Sequence, residues 1–373
     1  MRVAFVSPEP TPYRAPLLDR VADRPEIELT VIYAARTVAS RGWTIELHHP
    51  AVFLGGVGVP GARRVLRHDY PVTPGVFGAL GDAEPDVVVV SGWSTFAAQA
   101  ALAWCCVRRV PYVLLVESHD SGPKAGWRRQ VKTTAVPPIV RRASSVLVVG
   151  SLARDSVVAL GADPERVRTF ANTIDVPTYA EHADALLARR PELRAALGLA
   201  EDDVAVVSVA RLAPEKRLDV LLRAARNAGV LPVLVGSGPE RADLETIAPE
   251  AVFTGELPGE RVSEAYVAAD VFALLSAHEP WGVAVNEAAA SALPLVLSDR
   301  VGAAADLLRD GENGILVSYA DTAAAADAFR RLAADPDLRR RFGARSRELV
   351  SAWGYEPSVE NLVTSCYEAS TSR

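Results

Sequence analysis

Short apolar runs alternate with longer amphipathic segments along the whole chain, and this alternation constrains the fold more than any other feature. The runs are rich in Val, Leu and Ile and are bounded by Gly, Pro, Ser and Asp, which is typical of strands buried on both faces of a parallel sheet. The intervening segments are long enough for the crossover helices that parallel strands require. Strands are predicted at Val3–Ser7, Leu29–Ala35, Asp86–Gly92, Tyr112–Ser118, Ser145–Ser151 and Val167–Asn172, and again at Val204–Arg211, Leu231–Gly236, Val252–Gly255, Val271–Ser276, Leu295–Ser298 and Ile315–Val317.

A chain of 373 residues is long for a single core and predicts two domains. We expect an α/β protein of two tandem Rossmann-like domains, each with a doubly wound parallel sheet, that face each other across a cleft. The predicted domains are residues 1–174 and 175–355. An amphipathic helix at Glu356–Ser370 either packs back onto the first domain or stays on the second. The irregular segments Gly55–Pro74 and Asp120–Pro138 are predicted to be loops.

Charge is distributed unevenly between the two halves of the chain. Residues 1–175 carry 20 Lys and Arg against 16 Asp and Glu, whereas residues 176–373 carry 20 against 30. The basic first half either faces an anionic acceptor or membrane surface, or its arginines are simply scattered over a solvated surface. The sequence contains no basic run with interleaved aromatic residues, so nucleic-acid binding is not predicted. Because no apolar run reaches the roughly 18 residues of a membrane span, a cytoplasmic location is expected, with peripheral contact at the inner face of the membrane as an open alternative.

The segment from Ser276 onwards carries the strongest chemical signal. A predicted strand ends at Ser276, a polar loop with Glu279 follows, and a helix begins near Gly282 and carries Glu287. Gly282 allows the backbone to approach a ligand closely, and the free N–H groups and dipole at a helix N-terminus favour an anion. Glu279 and Glu287 can therefore contact different parts of one ligand whose anionic centre lies on the helix N-terminus. Taken singly, either residue is more typical of a surface carboxylate.

Two further segments of the second half place cations and glycines directly after predicted strands. Arg211 and Lys216 flank a proline turn, and a guanidinium with an ammonium group suits a diphosphate. Alternatively, Lys216 pairs with an acidic neighbour at the start of a helix. Gly236 and Gly238 follow the next strand without the full dinucleotide-binding spacing, so they either contact a ligand or only form a tight turn.

These segments resemble the donor-binding domain of the retaining glycosyltransferases of family 4, which have the GT-B fold. The E-x7-E pattern of that family is present as Glu279 and Glu287, and RLAPEK, VGSGPE and FTGEL match the segments before it. Residues 172–175, NTID, resemble the N-G-I-D that opens the interdomain link, with Thr173 in place of Gly. The resemblance covers most of residues 170–320, whereas the first domain matches in layout only.

The resemblance implies a role for each matching residue. Arg211 and Lys216 would bind the donor diphosphate and stabilise the charge of the leaving group. Glu279 and nearby backbone N–H groups would hold the transferred sugar and the β-phosphate, and the carboxylate further along the helix would bind the ribose hydroxyls. The implied donor-binding residues are Gly236, Gly238, Trp281, Gly282, Val283 and Glu287.

In the first domain, the resemblance places a histidine next to the transferred sugar. His119 in LLVESHD occupies that position, and Glu117 is the competing choice. The family loop after the first strand usually contains glycines that cradle the diphosphate, whereas Ser7–Pro16 contains none and its prolines cannot donate an N–H. Tyr13 or Arg14 is therefore expected to face the acceptor, with Glu117 on the same side.

The resulting expectation is a retaining hexosyltransferase that moves a sugar from a nucleotide-diphosphate donor, UDP or GDP most readily, to a glycan, a lipid-linked glycan or a small molecule. Such bacterial enzymes build polysaccharides or glycoconjugates. A nucleotide-sugar epimerase of the same fold and a non-catalytic nucleotide-sugar-binding protein are the alternatives. No cofactor or metal is expected, because the D-x-D motif at Asp335–Asp337 lies far from the other motifs and is interpreted as a helix cap, and Arg211 and Lys216 take the place of the metal.

Overall fold

The computed structural model describes residues 1–37, 45–58, 70–119 and 126–371. The chain divides into two compact units, each built around its own parallel sheet. The first unit comprises Met1–Ser118, Pro123–Asn172 and Tyr355–Arg373, and the second comprises His119–Gly122 and Thr173–Gly354. Two doubly wound α/β units confirm the predicted fold class.

The first unit contains a seven-stranded parallel sheet. Its strands are β1 (Arg2–Ser7), β2 (Glu28–Tyr33), β3 (Ala51–Phe53), β4 (Val87–Ser91), β5 (Tyr112–Val116), β6 (Ser145–Val148) and β7 (Val167–Thr169). Its first five helices are α1 (Ala15–Ala22), α2 (Val76–Ala83), α3 (Phe96–Arg108), α4 (Gly126–Arg142) and α5 (Ser151–Ala159). The strand order is β3-β2-β1-β4-β5-β6-β7, so the winding reverses between β1 and β4. Ligands of open α/β sheets bind at such a reversal, outside the carboxyl ends of the strands.

The second unit repeats this scheme with six parallel strands. They are β8 (Ala205–Val209), β9 (Leu231–Val235), β10 (Val252–Gly255), β11 (Val271–Leu274), β12 (Leu295–Ser298) and β13 (Gly314–Val317). The helices are α6 (Val176–Leu186), α7 (Arg190–Ala196), α8 (Leu218–Ala228), α9 (Arg241–Ile247), α10 (Gly259–Ala268), α11 (Val283–Ala290), α12 (Ala304–Leu307), α13 (Thr322–Ala334) and α14 (Pro336–Val350). In the order β10-β9-β8-β11-β12-β13, the winding reverses between β8 and β11.

Side-chain caps fix where several helices begin. The Thr95 hydroxyl accepts a hydrogen bond from the backbone N–H of Ala98 at the start of α3, and the Asp175 carboxylate caps α6 in the same way. Asp335 accepts from the backbone N–H of Leu338, which confirms that this part of the D-x-D motif is a helix cap. Each cap satisfies a backbone donor that the first helical turn leaves without a partner.

The last helix, α15 (Tyr355–Thr371), belongs to the first unit. Its buried face includes Val359, Leu362 and Cys366, which join the same apolar core as strands β1 and β4. At its N-terminal end, Arg24 forms ion pairs with Glu356 and Glu360. Apolar burial therefore accounts for why the chain returns to the first unit after completing the second.

The structure corrects two expectations about local structure. Ala51–Phe53 forms the edge strand β3, which the sequence analysis did not predict because the run is short. The predicted loop Asp120–Pro138 is wrong over its described part, since α4 spans Gly126–Arg142 with two prolines inside it. Burial of Val136 and Val140 on one face supplies packing that outweighs the lost backbone hydrogen bonds. Residues 120–125 of that loop and 59–69 of the other lie outside the described residues.

Candidate active site

The strongest sequence motifs come together at the reversal point of the second sheet. The loop after β8 and the loop after β11 are neighbours, because these two strands are paired in the sheet. The backbone N–H of Ala277 donates to the carbonyl oxygen of Glu215 over 2.8 Å, which joins the two loops directly. The candidate residues of both loops therefore lie where a doubly wound sheet binds its ligand.

Lys216 and Glu279 form an ion pair between these two loops. Their side chains are only 18% and 13% exposed, so solvent screens the pair less than it would a surface pair. The alternative in which Lys216 pairs with its own helix does not apply, because its partner comes from a loop 63 residues away. Lys216 ends a short 3-10 turn, and α8 begins two residues later, after Arg217 with a φ of 50°.

The backbone around Glu279 is fixed on both sides. Its N–H donates to the carbonyl of Arg300 over 3.1 Å, and its own carbonyl accepts from the N–H of Gly302 over 2.9 Å. The imidazole Nε2 of His119, a buried residue of the second unit, also lies 2.9 Å from this carbonyl. Gly302 permits this packing, since a Cβ there would lie 2.0 Å from the carbonyl oxygen of Pro280. The carboxylate of Glu279 is thus presented from a rigid loop.

Gly282 and the start of helix α11 have the local geometry that the sequence predicts for an anion site, and anion binding itself stays a prediction. Gly282 has a φ of 99°, which favours glycine, and it precedes the first helical residue, Val283. No side chain caps this helix, so its first backbone N–H groups remain available for a ligand. Trp281 is buried next to it, and its indole N–H donates to the side-chain oxygen of Asn286 over 2.9 Å.

Glu287 lies on α11, and Tyr266 of α10 is its partner. The Tyr266 hydroxyl donates to Oε2 of Glu287 over 2.8 Å. Burial raises the pKa of Glu287 to about 7, and the hydrogen bond from Tyr266 opposes this rise. Burial also raises the pKa of Tyr266 and of Tyr179 well above the usual range, with the nearby Glu287 carboxylate adding to the effect. Glu287 can therefore accept hydrogen bonds from a ligand fully only when it has lost its proton.

Local contacts within the second unit account for the positions of Arg211, Gly236 and Gly238. The Arg211 side chain is 45% exposed, and its ion pair with Glu215 is a long one of 4.0 Å, which does not join it to Lys216 and Glu279. Close packing explains why residues 236 and 238 are glycines. A Cβ on Gly236 would lie 2.1 Å, and one on Gly238 2.2 Å, from a backbone carbonyl oxygen of the loop after β8. The tight-turn interpretation is therefore sufficient for them, and a ligand contact stays a prediction.

A buried hydrogen-bonded network next to the site includes Asn286 and Trp353, which no sequence motif indicated. Asn286 donates through Nδ2 to the hydroxyl of Thr173 over 3.2 Å, and that hydroxyl donates to the carbonyl of Trp353. Trp353 in turn stacks on Trp281, with ring centroids 5.0 Å apart. The sequence feature that could have indicated this network is Thr173, which stands where the family has glycine. A hydroxyl at that position needs hydrogen-bond partners once it is buried.

The first-unit candidates Arg14 and Glu117 form an ion pair of 2.6 Å. Arg14 also donates to Asn172, and its guanidinium lies over the ring of Phe170. Tyr13, Arg14 and Glu117 line one pocket at the carboxyl ends of β1 and β4. The structure thus brings the three predicted acceptor-side residues together, whereas His119 belongs to the second unit.

The residues that the structure describes contain no group of three or more His, Cys, Asp or Glu side chains arranged to hold a metal ion. None of their helices is both long enough and apolar enough to cross a membrane.

Two protein-family models match the chain. The model described as "Glycosyl transferase 4-like domain" matches residues 15–173, and the model described as "Glycosyl transferases group 1" matches residues 189–349.

Proteins that are similar to this chain in sequence include several named as glycosyltransferases. A D-inositol 3-phosphate glycosyltransferase of Nocardia farcinica is 33% identical over 57% of this chain and 50% of its own length. A GDP-mannose-dependent alpha-mannosyltransferase of Mycolicibacterium smegmatis is 29% identical over 80% of this chain and 78% of its own length. The chain thus spans about half the length of the former and most of the latter.

Solved structures share the fold. Anabaena HepE in complex with UDP superposes with a TM-score of 0.74 at 19% identity, over 98% of both chains. A glycosyltransferase of Rickettsia africae superposes with a TM-score of 0.76 at 10% identity, over 100% of this chain and 99% of its own. At these identities the comparison shows the two-domain, Rossmann-like GT-B fold.

Proposed function

Because the chain belongs to the glycosyltransferases of the family 4 type with the GT-B fold, we propose that it transfers a sugar from a nucleotide-diphosphate donor to a hydroxyl group of an acceptor, with retention of the anomeric configuration. Its relatives and structural neighbours include proteins named for GDP-mannose and one bound to UDP. They support UDP or GDP as the nucleotide and a glycan, a lipid-linked glycan or a small molecule as the acceptor.

The observation that carries this proposal is the Lys216–Glu279 ion pair beside the open N-terminus of α11. A nucleotide diphosphate leaves easily once its growing negative charge is neutralised, and preorganised cations and N–H groups do this most effectively. Lys216 supplies a compact positive charge, and the N–H groups that follow Gly282 supply oriented dipoles. Glu279 holds Lys216 in place before the donor arrives and can then accept hydrogen bonds from the hydroxyls of the transferred sugar.

The remaining roles follow from position along the same helix. Glu287 lies about five residues into α11, roughly 7 Å further along the axis at 1.5 Å per residue. It is proposed to bind the ribose hydroxyls while the diphosphate lies at the helix N-terminus. Arg211, whose side chain is exposed, is proposed to add a second cation to the bound diphosphate. His119 is proposed to keep the Glu279 loop in position through its contact with the backbone carbonyl.

A donor screen tests the proposal. The protein is incubated with UDP- and GDP-sugars, with and without glycosyl acceptors, and release of the nucleoside diphosphate is measured together with the NMR spectrum of the sugar product. We expect slow donor hydrolysis without acceptor and an unchanged anomeric configuration in the transferred sugar. Interconversion of two nucleotide sugars would instead show an epimerase, and binding without any turnover would show a non-catalytic protein.

Metal independence is part of the proposal. Lys216 and the N-terminus of α11 are proposed to neutralise the leaving group without a divalent ion, so turnover should persist in EDTA. Loss of turnover in EDTA and its recovery with Mg²⁺ or Mn²⁺ would contradict this part alone and leave the glycosyltransferase proposal intact.

Peripheral membrane contact is proposed from the basic excess of residues 1–175. Co-sedimentation with anionic vesicles should then weaken as salt rises, because the screening length falls to about 8 Å at 0.15 M ionic strength. Binding that is absent at low salt, or that does not respond to salt, would contradict membrane contact.

A further inference from the structure

Tyr266 contacts the carboxylate that is proposed to bind the ribose, and it does so from a separate helix. Its hydroxyl donates to Oε2 of Glu287 over 2.8 Å, whereas the other acceptor within reach, the carbonyl of Ala284, lies 3.4 Å away. Oε1 of the same carboxylate accepts no hydrogen bond from the described residues, and Glu287 retains some exposed surface. Tyr266 therefore occupies one carboxylate oxygen and leaves the other accessible to a ligand.

The hydroxyl of Tyr266 is presented from a fixed position. The whole side chain is 0% exposed, so its ring has no room to rotate away from the carboxylate. The backbone that follows is held by two arginines of α7. The carbonyl of Val267 accepts from Nε of Arg190, and the carbonyl of Ala268 accepts from Nη1 of Arg194, each over 2.9 Å. A donor held in this way can fix the orientation of the group that accepts from it.

Few titratable groups face Glu287 from the elements packed against α11. Tyr266 lies on α10 and Tyr179 on α6, while Arg347 of α14 bonds a carbonyl in the last turn of α11 and pairs with Asp184 over 2.8 Å. Strands β11 and β12 contain no titratable residue. Burial raises the pKa of Glu287 to about 7, and among these contacts the hydrogen bond from Tyr266 is the one that lowers it.

Resting on the proposed function, we propose that Tyr266 is a positioning residue of the donor site, whose hydroxyl turns the Glu287 carboxylate toward the ribose hydroxyls and keeps it ionised at neutral pH. An ionised carboxylate only accepts hydrogen bonds, and a tyrosine hydroxyl has one hydrogen to donate, so their contact favours the ionised form. With one oxygen fixed by Tyr266, the other oxygen points in a single direction and can accept from the ribose.

Tyr266→Phe keeps the ring, removes the hydroxyl and tests this role. The Kd values of UDP and GDP are measured by calorimetry with the full chain between pH 7 and pH 9. Loss of one hydrogen bond to the ionised carboxylate should raise the midpoint, the pH at which half of the Glu287 carboxyl is ionised, by about one pH unit. At pH 7 about half of the carboxyl is then ionised in the unchanged protein and about a tenth in the variant, so the variant should bind about fivefold more weakly.

Recovery at high pH separates positioning from a merely structural role. At pH 9 the carboxyl is ionised in both proteins, so most of the lost affinity should return, whereas a disturbed core would weaken binding equally at both pH values. In steady state at pH 7 the loss should fall on the donor KM, with kcat changed by less than about twofold. A thermal melt of each variant shows whether the fold is kept.

Two controls match this variant. Tyr179→Phe also removes a buried tyrosine hydroxyl near Glu287, but that hydroxyl makes no hydrogen bond to the carboxylate, so the midpoint and the Kd should stay as they are. The dideoxy analogues of UDP and GDP lack the ribose hydroxyls. Their binding should therefore respond neither to Tyr266→Phe nor to the ionisation of Glu287.

The outcomes distinguish this proposal from the proposed function. Equal weakening at pH 7 and pH 9, an equal loss in Tyr179→Phe, or an equal loss for the dideoxy analogues would overturn the role of Tyr266 while nucleotide binding itself persists. Carbon NMR of labelled carboxyl groups measures the midpoint without nucleotide, and an unchanged midpoint in Tyr266→Phe would overturn the role whatever the nucleotides do. No binding of either nucleotide by the unchanged protein at any pH would contradict the proposed function and, with it, the orientation toward the ribose.

Discussion

Replacement of Glu287 by Gln should make the protein more stable at pH 8 while weakening its affinity for the donor. Burial raises the pKa of this carboxyl from 4.5 to about 7. In the unfolded chain the group loses its proton near pH 4.5, whereas in the folded protein it keeps the proton until about pH 7. The folded state therefore loses stability as pH rises between these values.

The magnitude follows from the same two values. Each pH unit between 4.5 and about 7 costs about 1.4 kcal/mol, so the ionised carboxylate destabilises the folded state by about 3 kcal/mol above pH 7. Gln is neutral at every pH, and its side-chain oxygen can still accept the hydrogen bond from Tyr266. The stability advantage of Glu287→Gln should therefore be small at pH 5 and should grow by about 2–3 kcal/mol at pH 8.

Urea denaturation of both proteins at pH 5 and pH 8 measures this directly. Glu245→Gln is the control, because Glu245 is 46% exposed and pairs with Arg241 on the same helix, a contact of little consequence for stability. An advantage of Glu287→Gln that is the same at both pH values, or a loss of stability at pH 8, would refute a buried carboxylate with a raised pKa. The donor KM of the unchanged protein should rise as the pH falls below 7, since only the ionised Glu287 accepts fully from ribose hydroxyls.

Three further predictions concern the same unit. Lys216→Ala should lower kcat by roughly 10²–10³, as expected for the loss of one preorganised charge-stabilising group, and should also reduce stability because it leaves the largely buried Glu279 carboxylate without its partner. Arg226→Ala on the surface should leave steady-state kinetics unchanged. The Glu279→Gln variant should bind UDP about fivefold more tightly by calorimetry, because Lys216 then lacks a competing partner worth about 1 kcal/mol. Its kcat for sugar transfer should nevertheless fall. Weaker UDP binding would contradict the competition between Glu279 and UDP for Lys216. Thr173→Gly, which restores the family residue, should cost about 2–4 kcal/mol in denaturation because it leaves Asn286 unsatisfied and adds backbone freedom, while Thr173→Ser should be nearly neutral.

The sequence predicted those parts of the site whose chemistry lies within one loop and the helix after it. Glu279, Gly282 and Glu287 form such a segment, and the period of the apolar runs places it after a buried strand. The pairing of Lys216 with Glu279 was not predicted, but the observed strand order explains it, since both loops leave neighbouring strands at the same edge of the sheet. Local pattern was therefore sufficient to predict the position of this segment after a strand, whereas its neighbours across the sheet became known only from the strand order.

The sequence did not predict contacts that depend on long-range packing of ordinary residues. Tyr266 belongs to a different helix from Glu287, and nothing in its local sequence distinguishes it from a core aromatic residue. Arg14 was assigned to the acceptor side, but its contacts with Glu117 and Asn172 are visible only in the structure. The proline pair in α4 predicts a loop because proline disfavours helix locally, whereas burial of neighbouring residues stabilises the helix that is observed.

Helix α11 combines two kinds of function in adjacent residues. Asn286 faces the buried network that includes Trp281 and Thr173, whereas Glu287 faces Tyr266 and is proposed to hold the ribose. A shift of the helix that relieved an unsatisfied Asn286 would therefore also move the carboxylate next to it and the N–H groups at the helix start. Substitutions in the network and at Glu287 should consequently not be additive, and a double-mutant cycle of Thr173→Gly with Glu287→Gln should show a coupling of about 0.5–3 kcal/mol in donor binding. Strict additivity would mean that the helix position is set by its core packing alone.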